Sequence, residues 1–211
     1  MSLSEELKDL IIELKEEEAV AQVKERIQKG EDALKILDEV RAAMDIVGKK
    51  FEEKEFFLPD LIMSGDILEQ ITEILAPELK EGAEAEVKGE IILGTVKGDI
   101  HDIGKDIVKF MLEANGFKVH DLGVDVPKEK FIEALKTENA KILALSGFLT
   151  LAFDAMKETV KEVEKEGLRD DIKIMIGGGQ MDEDLREYVG ADAYGKDAVK
   201  AVQLANNWTG A

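Results

Sequence analysis

Apolar positions recur at helical spacing through the first part of the chain and at strand spacing after it. Leu3, Leu7, Leu10, Ile11 and Leu14 fall on one helical stripe, introduced by a Ser2-x-x-Glu5 capping box. A second helix is predicted over residues 16–28, with Gly30 ending it. Leu37, Val40, Met44, Val47 and Phe51 then alternate steps of three and four, the seam of a helix that packs on its neighbours. A fourth helix is predicted to begin near Pro59, a residue well tolerated in a first turn, and to carry Leu61, Ile62, Leu68, Ile71 and Leu75. Four helices with short connections predict a small antiparallel bundle over residues 1–85.

Residues 80–88 lose that stripe and read as a linker, and beyond them the pattern changes kind. Apolar runs of strand length stand at 91–96, 118–122, 142–145 and 172–176, with a weaker fifth near Ala193. Helical stretches separate them at about 105–115, 128–137, 151–166, 183–189 and 197–207, and Gly116 and Gly167 stand where helix C-caps belong. Alternating strands and helices at this spacing predict a five-stranded, doubly wound α/β domain over residues 86–211, a parallel sheet covered on both faces.

Composition narrows the functions available. The 211 residues include 28 basic and 47 acidic side chains, a formal net charge of −19, so phosphate backbones and anionic membranes are expected to be repelled. The absence of cysteine excludes thiolate zinc sites, iron–sulfur clusters and a cysteine nucleophile. No stretch approaches the ~20 apolar residues of a membrane span, and the first residues lack the basic and apolar regions of a signal peptide. A cytoplasmic protein without nucleic-acid or membrane partners is expected.

For five doubly wound strands the common order is 2-1-3-4-5, with a ligand crevice at the carboxyl ends of strands one and three. The loops expected there are Lys97-Gly-Asp-Ile-His-Asp-Ile-Gly104 and Ser146-Gly-Phe-Leu-Thr150, with Gly177-Gly-Gly-Gln180 leaving strand four alongside. Asp99 and His101 stand two residues apart. A carboxylate there can hold one ring N–H and make the other nitrogen a metal ligand, or the histidine can merely bond locally. Zinc is disfavoured, because only Asp99 and Asp102 lie nearby and His120, the other histidine, sits a strand away. A metal that arrives within its own equatorial ligands needs one histidine only. Gly177, Gly178 and Gly179 read either as a tight strand exit or as a slot against which a planar or phosphate-bearing group lies flat. Ser146 and Thr150 can serve that crevice or cap the next helix. Lys97 and Lys105 either meet a phosphate or stand in solvent, the latter being expected. No Walker loop or G-x-G-x-x-G follows the first strand, which disfavours nucleotide cofactors.

At these residues the chain resembles the cobalamin-binding module of methionine synthase and the corrinoid proteins of bacterial and archaeal methyltransferase systems. The family pattern D-x-H-x-x-G, S-x-L, G-G appears as Asp99-Ile-His101-Asp-Ile-Gly104, then 41 residues to Ser146-Gly-Phe148, then 28 to Gly177-Gly178. Phe56-Phe-Leu-Pro-Asp-Leu-Ile-Met-Ser64 is similar to the F-L-P stretch of the family's helical cap. The resemblance implies a cobalamin whose lower base has swung away, with His101 ligating cobalt from below and Asp99 bonded to its other nitrogen. It implies that Gly98, Ile100, Asp102 and Ile103 share the cofactor-binding loop and that Gly104 gives the nucleotide tail room. Ser146, Phe148 and Thr150 would contact that tail, Gly177, Gly178 and Gly179 would wall its slot, and Phe57 would cover the upper face. Two departures stand out: Phe148 replaces the leucine of S-x-L, and Ala152 stands where methionine synthase extends its Asp–His relay with serine.

The function so implied is a methyl carrier, not a complete enzyme alone. A substrate methyltransferase loads the methyl group and a second methyltransferase removes it to tetrahydrofolate or coenzyme M, with a reductive activase as a further partner. The linker at 80–88 is the expected hinge for moving the cap. A cobalamin-dependent sensor is the alternative, but no helix-turn-helix extension or basic patch accompanies it. A mutase small subunit would share the histidine loop without the four-helix cap, and a receiver or flavodoxin-like domain would explain neither the three-loop spacing nor the bundle.

Overall fold

The computed structural model describes residues 3–75, 77–78, 87–179 and 181–210. The expected capping box rests on Ser2, and it lies outside the described residues, as do residues 80–86 of the expected linker. The chain divides into two compact units, Met1–Glu86 with Ala114–Gly116, and Val87–Glu113 with Phe117–Ala211.

In the first unit four helices run α1 (Leu3–Ile12), α2 (Glu16–Gln28), α3 (Ala33–Glu52) and α4 (Leu58–Leu75). α1 packs on α3 and α2 on α4. Ile36, Val40, Met44 and Val47 are fully buried along α3, so its three-and-four seam faces the core. Asp32 caps this helix by accepting from the Leu34 N–H. Arg26 is buried at the end of α2, where Glu31 and Glu39 each approach within 2.6 Å and neutralise it.

Two expected stripe positions differ. Leu14 lies beyond α1 with φ +58°, so that stripe ends at Ile11. On α4 the inward face is Leu61, Ser64, Ile67, Ile71 and Leu75, while Ile62 is exposed. The buried Ser64 hydroxyl donates to the Asp60 carbonyl and so needs no outside partner.

The second unit is a five-stranded all-parallel sheet in the order β2-β1-β3-β4-β5, as expected. Its strands are β1 (Glu90–Thr95), β2 (Lys118–Asp121), β3 (Ile142–Gly147), β4 (Lys173–Gly178) and the short β5 (Ala193–Tyr194). Helices α5 (Ile103–Ala114), α6 (Lys128–Thr137), α7 (Thr150–Lys165), α8 (Glu183–Val189) and α9 (Ala198–Thr209) complete it. Ile92, Leu143, Leu145, Ile174 and Ile176 face one side of the sheet, where Phe131 of α6 and Met156, Val160 and Val163 of α7 bury them. Winding reverses between β1 and β3, and right-handed crossovers then send α5 to the opposite face.

Strands β3 and β4 outlast their apolar runs. Ser146 pairs with Gly177 and Gly147 with Gly178, so the first two glycines belong to the sheet rather than to the loop after it. Backbone pairing carries these strand ends after hydrophobic side chains stop. No helix among the described residues is long and apolar enough to cross a membrane.

Candidate functional site

Residues 97–102 leave β1 as a loop anchored to the sheet by short local bonds. Gly98 adopts φ +84° and donates its N–H to Asp125 Oδ1 at 2.7 Å, and the Thr95 hydroxyl donates to the His101 carbonyl at 3.0 Å. Asp99 is fully buried within this loop. Its Oδ1 accepts from the His101 N–H at 3.0 Å and lies 2.6 Å from His101 Nδ1. Its Oδ2 accepts from the backbone N–H groups of Phe148 at 2.6 Å and Leu149 at 2.9 Å. Burial opposes the charged form. The hydrogen bonds from Leu149, His101 and Phe148 outweigh it and hold the carboxyl well below the usual carboxylate range.

An ionised carboxylate only accepts, so Nδ1 of His101 carries the proton towards Asp99, and in the neutral ring that tautomer leaves the lone pair on Nε2. The His101 side chain is half exposed. Its ring lies against Phe148, with centroids 4.6 Å apart and planes inclined at 34°.

The register lines up the rest of the site. Thr95, Ser146 and Gly177 stand level across β1, β3 and β4, so Ser146 and Gly177 share one edge of the sheet with the root of the histidine loop. Gly178 has φ +122°, and an added Cβ would lie 2.2 Å from the Gly147 carbonyl oxygen. At Gly179 an added Cβ would meet Phe148, at Gly177 only the Gly195 carbonyl oxygen at 3.8 Å. Chain packing therefore demands glycine at Gly178, whereas Gly177 borders open space. Thr150 is the exposed first residue of α7, and its N-cap, Leu149, offers no side-chain hydrogen bond to the helix.

Gly98, Asp99, Ile100, His101, Asp102, Ile103, Gly104, Ser146, Phe148, Thr150, Gly177, Gly178 and Gly179 thus gather at the carboxyl ends of β1, β3 and β4. Phe57 belongs to the other unit, exposed just before α4, with its N–H donated to Asp60 Oδ2 at 2.7 Å. His120 stands apart. Its Nε2 lies 2.6 Å from Glu90 Oε2, at the amino end of β1.

Residues 89–203 match the B12 binding domain family, and a second family of the same description covers residues 3–76. The dimethylamine corrinoid protein 2 of Methanosarcina acetivorans is 37% identical over 203 residues, covering 96% of this chain and 94% of that protein. A corrinoid protein of Desulfitobacterium hafniense is 38% identical over 216 residues, covering 100% of this chain and 99% of that protein. The chain belongs to the corrinoid proteins of methyltransferase systems. Among solved structures, a cobalamin-binding protein from Desulfitobacterium hafniense matches this corrinoid protein with a TM-score of 0.80 at 37% identity, covering 98% of each chain. The methanol:cobalamin methyltransferase complex of Methanosarcina barkeri contains a chain that matches with a TM-score of 0.87 at 30% identity, over 99% of this chain and 80% of that one.

The site fits a corrinoid on its own geometry. An added Cβ at Gly98 or Gly104 would meet nothing within 4 Å, so the polypeptide leaves that side of the loop open. Ile100 and Ile103 on the chain that leaves β1, and Phe148 and Leu151 on the chain that leaves β3, are all more than half exposed, apolar area suited to a large ring. Ser146 is buried, and its hydroxyl has no hydrogen-bond partner among the described residues. A lone nitrogen ligand suits cobalt that brings its equatorial nitrogens with it.

Lys105 corrects the sequence reading. It is buried rather than solvated, and its Nζ lies 2.6 Å from Asp121 Oδ2 and 2.7 Å from Asp106 Oδ1. Burial opposes its charge, yet these hydrogen bonds prevail and raise its pKa above the ordinary lysine value. A signal was present: Lys105, Val108 and Leu112 share the i, i+3, i+7 spacing of the inward stripe of α5.

Proposed function

We propose that this corrinoid protein binds cobalamin base-off with His101 as the lower ligand, and carries a methyl group between two methyltransferases. The observation that carries the reading is the Asp99–His101 pair. A buried carboxylate, saturated by three backbone N–H groups and the imidazole, fixes the tautomer that leaves Nε2 bare at the mouth of the crevice.

The corrinoid supplies a cobalt centre that accepts and releases the methyl group. The chain's own residues hold and shelter it. Asp99 holds the Nδ1 proton, so that Nε2 is the nitrogen that would take the metal. The Ser146 hydroxyl would donate to the displaced nucleotide tail, Thr150 would contact it from the start of α7, and Gly104, Gly177, Gly178 and Gly179 would leave its path clear of side chains. Gly98, Ile100, Asp102 and Ile103 would border the ring from the histidine loop, and Phe57 would cover its upper face. A substrate methyltransferase is the expected donor. The acceptor is a methyltransferase acting on tetrahydrofolate or coenzyme M, and a reductive activase restores the carrier. A relative's structure in complex with a methanol:cobalamin methyltransferase supports such a partnership.

Reconstitution with hydroxocobalamin and electron paramagnetic resonance of the cobalt(II) form tests the ligand. In protein made with 15N-histidine, the superhyperfine splitting from the axial nitrogen should change from a triplet to a doublet, and His101→Ala should abolish that change while corrinoid stays bound. A triplet that survives 15N-histidine labelling overturns the assignment.

A further inference from the structure

We propose that Phe148 is a positioning residue for His101, a flat shelf for the imidazole, and that Gly179 is bare in order to seat that shelf. The inference rests on the corrinoid reading above for its purpose, but its geometry stands in the protein alone.

Asp99 restrains only one edge of the imidazole. A single contact at Nδ1 leaves the ring free to tip about the Nδ1···Oδ1 line, and tipping swings the Nε2 lone pair. A second restraint must act on a face. Phe148 supplies it: its ring centroid lies 4.6 Å from that of His101, at a 34° inclination. The two residues also share one anchor, because Asp99 holds His101 through Oδ1 and the Phe148 N–H through Oδ2. Edge and face are therefore fixed to one buried group.

The shelf has a backstop. A Cβ at Gly179 would stand 3.1 Å from the Phe148 carbonyl oxygen and 3.3 Å from ring atom Cδ2, closer than ordinary van der Waals contact. The Gly179 N–H donates to the Gly147 carbonyl at 3.1 Å, which ties this backbone to the end of β3. Phe148 thus touches both this tied backbone and the imidazole. Phe148 is 57% exposed, so core burial does not account for the position. An alanine at Gly179 would crowd the Phe148 backbone and the Cδ2 edge of its ring, and so disturb the seat of that ring against His101.

The test begins with protein free of cofactor. Nuclear magnetic resonance of the 13C-labelled His101 ring should show a Phe148 ring-current shift and restricted ring motion. Phe148→Leu should remove both, and Phe148→Tyr, which keeps the flat face, should restore both. Gly179→Ala should change the His101 shift on the Phe148 background and leave it unchanged on the Phe148→Leu background, a non-additivity that reports contact through the ring. In loaded protein, Phe148→Leu should weaken histidine ligation about two- to tenfold, the range expected for one aromatic pair. His101 resonances indifferent to Phe148→Leu, or additive effects at Gly179 and Phe148, overturn the proposal. Thermal melts confirm that each variant is folded. Failure of 15N-histidine to alter the cobalt(II) spectrum would sink the ligand assignment and leave the cofactor-free result untouched, so the two failures are distinguishable.

Discussion

Lys105, in the first turn of α5, reaches Asp121 at the end of β2 with Nζ 2.6 Å from Oδ2. The pair ties the helix that follows the histidine loop to the strand beside β1, so the loop is held at both ends. The Lys105 side chain is 3% exposed and that of Asp121 20%, and this asymmetry decides what each substitution costs. Asp121→Ala leaves a buried ammonium facing only the exposed Asp106, and should cost about 3 kcal/mol. Lys105→Met removes the buried charge and leaves a carboxylate that water can reach, so about 1 kcal/mol is expected. Urea denaturation of the two variants measures the difference, and the reverse ranking would refute the account.

Asp99 makes stability depend on acid. Its folded carboxyl is held below the ordinary value of about 3.9, so its contribution is present above that value and fades as pH falls through it towards the folded pKa. Asp99→Asn lacks this titration and keeps one acceptor oxygen in place of the two that serve Phe148 and Leu149 on one side and His101 on the other. Wild type should therefore exceed the variant in stability near neutrality, with a gap that narrows below about pH 4. Denaturation of both proteins across that range checks the sign. A gap that stays constant counts against an ionised Asp99.

Element types were legible from the chain because periodicity and stop signals agreed. The bounds of α2 come out as Glu16–Gln28 because Gly30, at φ +77°, stops the run, and α6 opens directly after Pro127. What stayed hidden depends on neighbours distant in sequence. The reach of β4 through Gly177 and Gly178 is set by pairing with Ser146 and Gly147, which no apolar pattern encodes. Burial of Lys105 needs Asp121 in place, a residue known to be adjacent only once β2 is paired with β1. The Asp99–His101 contact was readable because its partners stand two positions apart in one loop, with only Ile100 between them. The shelf under His101 was not, because it requires β1 and β3 in the register that sets Thr95 against Ser146.

Glycines at the end of β4 separate packing from ligand space. Gly178→Ala places Cβ 2.2 Å from the Gly147 carbonyl oxygen at φ +122°, and should cost about 3 kcal/mol or more by forcing β3 and β4 apart. Gly177→Ala meets its nearest atom at 3.8 Å and should stay within about 1 kcal/mol of wild type. On the proposed function that silent substitution narrows the tail's path, so corrinoid retained after gel filtration should fall. Chemical denaturation and the visible absorbance of the eluted protein read the two effects separately. Equal retention by Gly177→Ala and wild type would remove Gly177 from the cofactor's path.

Phe57 offers a test of shielding with little structural penalty. Its side chain is 64% exposed and the bond that begins α4 runs from its backbone N–H to Asp60, so Phe57→Ala removes no buried packing. The melting temperature should hardly move, because surface substitutions away from packed features usually stay within about 0.5 kcal/mol. If the ring covers the upper face of the corrinoid as proposed, its loss opens that face to water. Protein loaded with methylcobalamin should then lose its alkyl group faster in the variant, as followed by visible absorbance in the dark. Indistinguishable decay in a variant that melts like wild type would refute a shielding role for Phe57.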